Sequence, residues 1–442
     1  MNKDNGVFSI IDPKTTPFFY GWVVLGVGTL GFLMSAPGQT IGVSAFTDSL
    51  LDVLSLSRDQ LSFAYMGGTM LSAVALTKAG QFYDEYGARR TTLIATIGLG
   101  IALLYLSQID IVSTAMGGGM IPTMVLILIG FVFIRFFGQG VLSLASRTMV
   151  VKWFDAKRGL AVGIMNVFGA FGFSIAPVVF DALISGFDWS GAWIVIAIAS
   201  AVVFPVIVAF FFKESPERYG LHPDGYSKSA EENKNKIKFP IHKEFTLLEA
   251  RKTLSLWVFA GYPALFGLVA TGFTFHVVSI FAEHDFSREA AIGIFQPIAA
   301  VSVVSTVFFS WISDHVKLKY LAYMFSIAAA VTMYGLINLQ TAGLYYWLLI
   351  GGYGVCSGIH GLVISLFLPR FYGKKFLGAI TGQAMTLVVF ASAIGPILFS
   401  QSLSLTGSYS GAAIVCGVGF IMLLFAAFFT HNPQESLSIK NM

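Results

Sequence analysis

Twelve apolar runs along the chain are each long enough to cross a lipid bilayer, and they limit the fold more than any other feature. A hydrocarbon core of about 30 Å needs about 20 helical residues at 1.5 Å per residue. The runs occupy residues 20–46, 60–80, 91–109, 121–146, 159–185, 190–212, 255–281, 288–312, 320–340, 343–369, 376–402 and 408–430. We therefore expect an all-α membrane protein with twelve transmembrane helices.

The composition excludes a soluble globular domain. Of 442 residues, 56% are hydrophobic and only 11% are charged, whereas charged residues make up about 25% of soluble domains. The first run is too long for a cleaved signal peptide, so we expect it to remain in the mature chain. Cys356 and Cys416 lie in predicted helices without the spacing of a metal or redox motif, which predicts free thiols.

The placement of basic residues predicts topology and argues against a nucleic-acid partner. If both termini are cytoplasmic, only Arg58 and Arg288 of the 27 Lys and Arg residues fall in outside loops, and Arg135 lies in mid-membrane. The others lie in cytoplasmic loops, tails or helix ends, as the positive-inside rule requires. We expect a multi-pass monomer in the lipid bilayer of the cell membrane, with both termini in the cytoplasm.

The two halves of the sequence repeat one another. Residues 56–59 match residues 286–289 at an offset of 230, and the same offset carries Asp84 onto Asp314. Such repeats are typical of transporters built from two copies of a six-helix unit.

The repeat predicts the domain organisation. We expect six-helix bundles at residues 1–212 and 255–442. The segment between them, 213–254, is polar and charged, and it is predicted to be a cytoplasmic linker.

A glycine-rich loop after the second run resembles the G-x-x-x-D-x-x-G-x-[RK] signature of the major facilitator superfamily. The matching residues are Gly80, Asp84, Gly87, Arg89 and Arg90, and the second-half copy retains Asp314. The resemblance implies a latch that holds the inner gate shut. The alternative is an ordinary basic loop on the cytoplasmic side.

The fourth run carries a second resemblance. Arg135, Gln139 and Gly140 form an R-x-x-x-Q-G pattern, and a WF…RG segment follows at residues 153–159. Both are similar to facilitators near the monocarboxylate porters and oxalate/formate antiporters, and the resemblance implies two pseudo-symmetric six-helix bundles. Those relatives hold carboxylates with basic residues on their eighth or eleventh helix. Here residues 289–312 and 377–402 contain no Lys or Arg.

Arg135 is the candidate anion contact. It is the one cationic side chain in the middle of the run 121–146, about 21 Å from its outer start and about 16 Å from its inner end. No acidic residue lies at comparable depth, and an unpaired charge in hydrocarbon is costly. The guanidinium suits a carboxylate. The alternative is a structural arginine bound by helix-end carbonyls or water.

Two histidines and three glutamines complete the predicted site. His360 and His276 are the groups at depth that titrate near neutral pH, so they are candidates for proton coupling or for hydrogen bonds between helices. Gln39, Gln139 and Gln296 interrupt apolar helices, where they either line a cavity or pack against neighbours. Pro37 and Gly38, beside Gln39, can free backbone carbonyls.

These features predict a secondary transporter, not an enzyme. Its substrate is predicted to be a small organic anion such as a monocarboxylate, bound at one central site between the halves and moved by alternating access. Proton symport is the predicted coupling, with anion exchange as an alternative. A rival function is export of an amphipathic or drug-like compound, favoured by the 42 Phe residues. No motif predicts a cofactor or a metal site.

Overall fold

The computed structural model describes residues 12–225, 241–339 and 343–435, and every regular element in these ranges is helical. This confirms the predicted all-α class. The α-helices of the described residues are α1 (Gly21–Leu33), α2 (Thr40–Ser44), α3 (Thr47–Leu54), α4 (Arg58–Ser107), α5 (Ile109–Ala115), α6 (Met120–Ile134), α7 (Ser143–Trp153), α8 (Arg158–Ile198), α9 (Phe204–Phe211), α10 (Leu247–Arg251), α11 (Leu254–Ala282), α12 (Arg288–Gly293), α13 (Phe295–Ser313), α14 (Leu318–Ile337), α15 (Leu344–Tyr372), α16 (Leu377–Thr406) and α17 (Ser410–Phe429).

Parts of three predictions fall outside the described residues. They are the middle of the predicted linker (226–240), the two chain ends that are predicted to be cytoplasmic (1–11 and 436–442), and residue 340 of the ninth run.

Ten helical stretches in the described residues are long and apolar enough to span a membrane, and two of them account for two crossings each. The stretch Asp59–Ser107 has 49 residues and Arg158–Phe211 has 54, so each is more than twice the roughly 20 residues that one crossing needs. Each contains one residue with non-helical dihedral angles, Gly87 at φ 82° and Asp188 at φ 64°. Counted as crossings, the stretches give the predicted twelve.

The first crossing is broken near its middle. α1 ends at Leu33, a 3₁₀ turn covers Ala36–Gly38, and Gln39 is extended before α2 begins. Proline has no backbone N–H and cannot continue a regular helical ladder, which explains a break at Pro37. At the break, the carbonyl oxygen of Gly38 accepts a hydrogen bond from the Arg135 side chain.

The fourth crossing contains a π-helical segment at Arg135–Leu142, between α6 and α7. Such segments shift the hydrogen-bonding register and occur frequently at functional sites. Gly138 lies in this segment directly against the broken first crossing: a Cβ atom at Gly138 would be 2.8 Å from the Cα of Gly38. Two glycines therefore allow the two backbones to approach closely.

The described chain packs as two compact units. The first comprises the described parts of residues 1–155, 168–233 and 381–385, and the second those of 156–167, 234–380 and 386–442. In the first unit Phe46 stacks on Trp193 with ring centroids 3.6 Å apart. In the second unit the Tyr262 hydroxyl lies 2.8 Å from Ser326 Oγ. The division of the sequence into repeated halves stays a prediction.

We expect Gly138→Ala to lower the stability of the protein. Its methyl group would meet backbone atoms of Gly38, and overpacking of this kind typically costs about 1–3 kcal/mol. The measurement is the thermal unfolding midpoint of the purified protein in detergent. Gly26→Ala is the matched control, because no atom lies within 4 Å of a Cβ built there. Equal midpoints for the two variants would contradict the close-packing argument.

Candidate functional site

Arg135 is buried in the first unit and is bound by the broken first crossing. Only 2% of the residue is exposed. Its Nη1 donates to the carbonyl oxygen of Gly38 at 3.1 Å and to Thr40 Oγ1 at 3.4 Å, and Cζ lies 5.0 Å from the ring centroid of Tyr65. No carboxylate in residues 12–225, 241–339 or 343–435 forms an ion pair with it. Within the described ranges, the positive charge is therefore stabilised by a carbonyl, a hydroxyl and an aromatic ring, without a carboxylate.

Two buried polar atoms beside this contact lack hydrogen-bond partners. Among the described residues, neither the Nε of Arg135 nor the Oε1 of Gln139 has one. Burying such groups unsatisfied costs about 1–3 kcal/mol each, and more for a charged group. Because both belong to one π-helical segment, they offer a donor and an acceptor to a ligand near Arg135.

Gln39 belongs to a small hydrogen-bond network with Ser35 and Ser143. Its Nε2 donates to Ser35 Oγ at 3.0 Å and to Ser143 Oγ at 3.3 Å, and Ser143 Oγ donates to Ser35 Oγ at 3.1 Å. Arg135, Gln139 and Ser143 recur every four residues, which places them along one side of the fourth crossing. The structure therefore brings three predicted site residues, Arg135, Gln139 and Gln39, together in the first unit.

His360 lies in the second unit on α15, in an aromatic surrounding. Its ring centroid is 5.4 Å from that of Phe266, and Phe266 also packs on Tyr353 at 5.2 Å. The side chain is half-buried.

His276, on α11, occupies a different part of the second unit. Its Nε2 lies 3.0 Å from the carbonyl oxygen of Pro396 and its Nδ1 lies 3.4 Å from the Tyr409 hydroxyl. A carbonyl only accepts, so Nε2 donates there. Tyr409 in turn donates to Ser279 Oγ at 2.8 Å. His276 thus connects α11 to α16 and to the start of α17. Gln296, on α13, has an exposed side chain.

In the first unit, the turn at Gly87 in the loop signature is held by a hydrogen bond to Glu214. Gly87 adopts φ 82°, a conformation that favours glycine, and the next amide, that of Ala88, donates to the Glu214 carboxylate. Glu214 also pairs with Lys152, and their side chains are 9% and 8% exposed. Of the other motif residues, Gly80 is buried, Asp84 and Arg89 are half-buried and Arg90 is exposed.

Asp314 is the centre of a second buried cluster, within the second unit. Arg370, 3% exposed, donates from Nη2 to Asp314 Oδ1 at 2.9 Å and from Nη1 to the Ser313 carbonyl oxygen at 2.6 Å. The Gly159 and Leu160 amides donate to the same carboxylate at 2.9 and 3.2 Å. They belong to the first turn of α8, where the helix dipole favours an anion. Burial raises the pKa of Asp314, although Arg370 and these amides oppose the shift.

Sequence reasoning missed several residues of these sites. Thr40, Tyr65 and Ser143 surround Arg135 or Gln39, while Glu214 and Arg370 complete the two buried clusters. Two of them could have been identified from their positions in the sequence. Ser143 is two four-residue steps beyond Arg135, and Arg370 lies 223 residues after Arg147, close to the repeat offset.

Comparisons with known proteins agree with this architecture. The sequence profile described as Major Facilitator Superfamily matches residues 18–396. The probable sulfoacetate transporter of Cupriavidus necator is 23% identical, over 91% of this chain and 93% of that protein. Monocarboxylate transporter 12 of Rattus norvegicus is also 23% identical, over 62% of this chain and 60% of its own length.

A solved structure shows the same fold. The proton:xylose symporter XylE, bound to 6-bromo-6-deoxy-D-glucose, superimposes with a TM-score of 0.68 at 16% identity, covering 95% of this chain and 99% of the symporter. At that identity the likeness concerns the fold alone. The profile, by contrast, covers most of the chain and confirms the resemblance seen in the loop and fourth-run motifs. The chain therefore belongs to the Major Facilitator Superfamily and is a multi-pass secondary membrane transporter, not an enzyme.

Proposed function

We propose that this transporter carries a small organic anion, such as a monocarboxylate, and that Arg135 is its contact. The observation that carries the proposal is a buried guanidinium without a carboxylate partner in the described residues, whose Nε is unpartnered. A carboxylate or sulfonate oxygen would accept from that Nε and neutralise the charge.

Gln139 adds a preference within this substrate class. Its unpartnered Oε1 is an acceptor, so it favours a substrate that carries a donor near its anionic group. A buried acceptor left without a donor is costly, and sites built around such groups discriminate strongly.

Two relatives support an anionic substrate. Their names give sulfoacetate and monocarboxylates as what they transport. Both are organic acids that are ionised at neutral pH. Sulfoacetate carries a sulfonate in addition to a carboxylate, so both substrates share a carboxylate that one arginine could bind.

Transport by alternating access would use the two buried clusters as gates. The Gly87 turn with Glu214, and Asp314 with Arg370, hold loop and helix ends through hydrogen bonds that must break and re-form when a gate opens. In this proposal both chain ends face the cytoplasm of the cell, as the charge distribution predicts.

We assign proton coupling to His360 ahead of His276. Both ring nitrogens of His276 already contact protein groups, Pro396 and Tyr409, which suits a role in holding helices together. His360 lies at about 25 Å along its helix from the predicted outer end, close to the depth of Arg135. A proton taken up there would accompany the anion.

The rival function, export of an amphipathic compound, receives little support from the phenylalanines. Many face outward, where lipid would cover them, including Phe425 at 67%, Phe63 at 62% and Phe429 at 60% exposure. Competition of uptake by organic acids against competition by hydrophobic cations would separate the two functions.

Replacing Arg135 by alanine should strongly decrease anion uptake. Loss of a charge-assisted hydrogen bond worth about 1.5–3 kcal/mol predicts a decrease of roughly 10- to 100-fold. The measurement is uptake of labelled monocarboxylates and sulfonates into proteoliposomes. Arg135→Lys should retain partial uptake, because lysine keeps the charge but not the planar fork.

Lys252→Ala is the control for Arg135, since this exposed lysine lies outside the membrane spans. Thermal unfolding of each variant verifies that it is folded. A folded Arg135→Ala protein with wild-type uptake would refute the anion contact.

His360→Gln should remove the dependence of uptake on an imposed pH gradient, because glutamine cannot be protonated. His276→Gln should keep that dependence and lower the thermal unfolding midpoint, since the contacts with Pro396 and Tyr409 are weakened. Uptake by proteoliposomes is measured with and without the gradient. If a variant that carries both His360→Gln and His276→Gln responds to the gradient as the wild type does, the proton assignment is wrong.

Asp314→Asn should loosen the start of α8. The change leaves Arg370 without its carboxylate, which costs about 3 kcal/mol for a buried pair. Hydrogen–deuterium exchange of a peptide containing Gly159 and Leu160 should accelerate several-fold. Asp285→Asn is the control, because Asp285 is exposed and asparagine tolerates its φ of 61°. Unchanged exchange in Asp314→Asn would rule out the gate contact.

A further inference from the structure

A cavity of about 340 Å³ with both charged and apolar side chains in its lining lies in the second unit, where α14 begins and α15 and α17 end. Its volume is sufficient for a small headgroup. The polar side chains that matter most in its lining are Lys317, Lys319, Tyr320, Arg370, His431 and Glu435. Neither the anion contact nor the proposed proton carrier lines it.

Lys319 and Lys317 in the cavity can each donate further hydrogen bonds to a ligand. Lys319 Nζ donates to the Phe428 carbonyl oxygen at 2.8 Å, which uses one of its three protons. Lys317 pairs with Glu435 at 3.0 Å, but their side chains are 63% and 49% exposed. An exposed pair of this kind contributes at most about 1 kcal/mol, so a stronger anion can replace the carboxylate. Arg370 also lines the cavity, where it is paired with Asp314.

Exposed apolar side chains continue from the cavity along two neighbouring helices. On α14, Tyr320, Met324 and Ile327 are 57%, 43% and 54% exposed at the spacing of one helical face. On α17, Phe428 and Phe425 are 54% and 67% exposed. The helices touch at this end, where the rings of Tyr323 and Phe428 are 4.9 Å apart. A molecule with a phosphate in the cavity could lay acyl chains along this surface.

We propose that this cavity binds the phosphate of an anionic phospholipid headgroup. Lysines and tyrosines at helix ends lie at headgroup level in a bilayer, and basic pockets between transmembrane helices are suited to anionic lipids. Lys317 and Lys319 bind the phosphate, and the exposed faces of α14 and α17 hold the chains.

The test compares thermal unfolding of the full-length protein in phosphatidylcholine nanodiscs with and without phosphatidylglycerol. Phosphatidylglycerol should raise the unfolding midpoint of the wild type by several degrees, because it binds the folded state. The Lys317→Gln/Lys319→Gln double variant should lose at least half of that increase. Lys252→Gln, which removes an exposed lysine outside the cavity, should retain it.

Glu435→Gln should bind phosphatidylglycerol more tightly than the wild type does. A folding defect would weaken binding and could not produce this result. Removing the carboxylate frees Lys317, so half-maximal stabilisation should need several-fold less phosphatidylglycerol. Equal lipid responses in the wild type, the double variant and Glu435→Gln would overturn the site. Inorganic phosphate added to phosphatidylcholine nanodiscs should have no comparable effect. A response as large as that to phosphatidylglycerol would overturn the assignment to a lipid.

Discussion

The contact between the Arg135 guanidinium and the carbonyl of Gly38 is the interaction on which the candidate site depends. A buried charge without a counter-ion needs fixed dipoles, and an intact helix offers none because its carbonyls are bonded internally. Pro37 breaks the first crossing at the level of Arg135, and Gly138 lets the two backbones come close enough for the 3.1 Å contact. The break at Pro37 and the two glycines therefore make it possible to bury the charge of Arg135 at this position.

This contact leaves the arginine only partly satisfied, which separates it from two other buried cations, Lys152 and Arg370. Lys152 has Glu214, and Arg370 has Asp314 together with a carbonyl oxygen. Removing one partner of such pairs is strongly destabilising, which suits clusters that hold a conformation. Arg135 keeps an unpartnered Nε next to the unpartnered Oε1 of Gln139. Under the proposed function, this unused hydrogen-bonding capacity is what a substrate anion would bind.

Much of the fold was predictable because a bilayer imposes length and apolarity on each crossing separately. The twelve runs and the turn at Gly87 follow from local sequence. The π-helical segment and the partners of Arg135 were not predictable in the same way. Gly38, Thr40 and Tyr65 contact it across crossings, and their approach depends on tertiary packing. Glu214 was missed for the same reason, since its partner Ala88 is 126 residues away.

The electrostatics of a single arginine also bear on the charge of the proposed substrate. Arg135 brings one positive charge into a region of low dielectric constant, where charges interact far more strongly than in water. A monovalent anion would neutralise it, and the occupied site would then cross between states without net charge. A divalent anion would leave one negative charge uncompensated unless a proton entered with it. Proton uptake at a histidine such as His360 would supply that charge. Under the proposed function, coupling and substrate charge are therefore linked: the more negative charge the substrate carries, the more the transport cycle would depend on the proton.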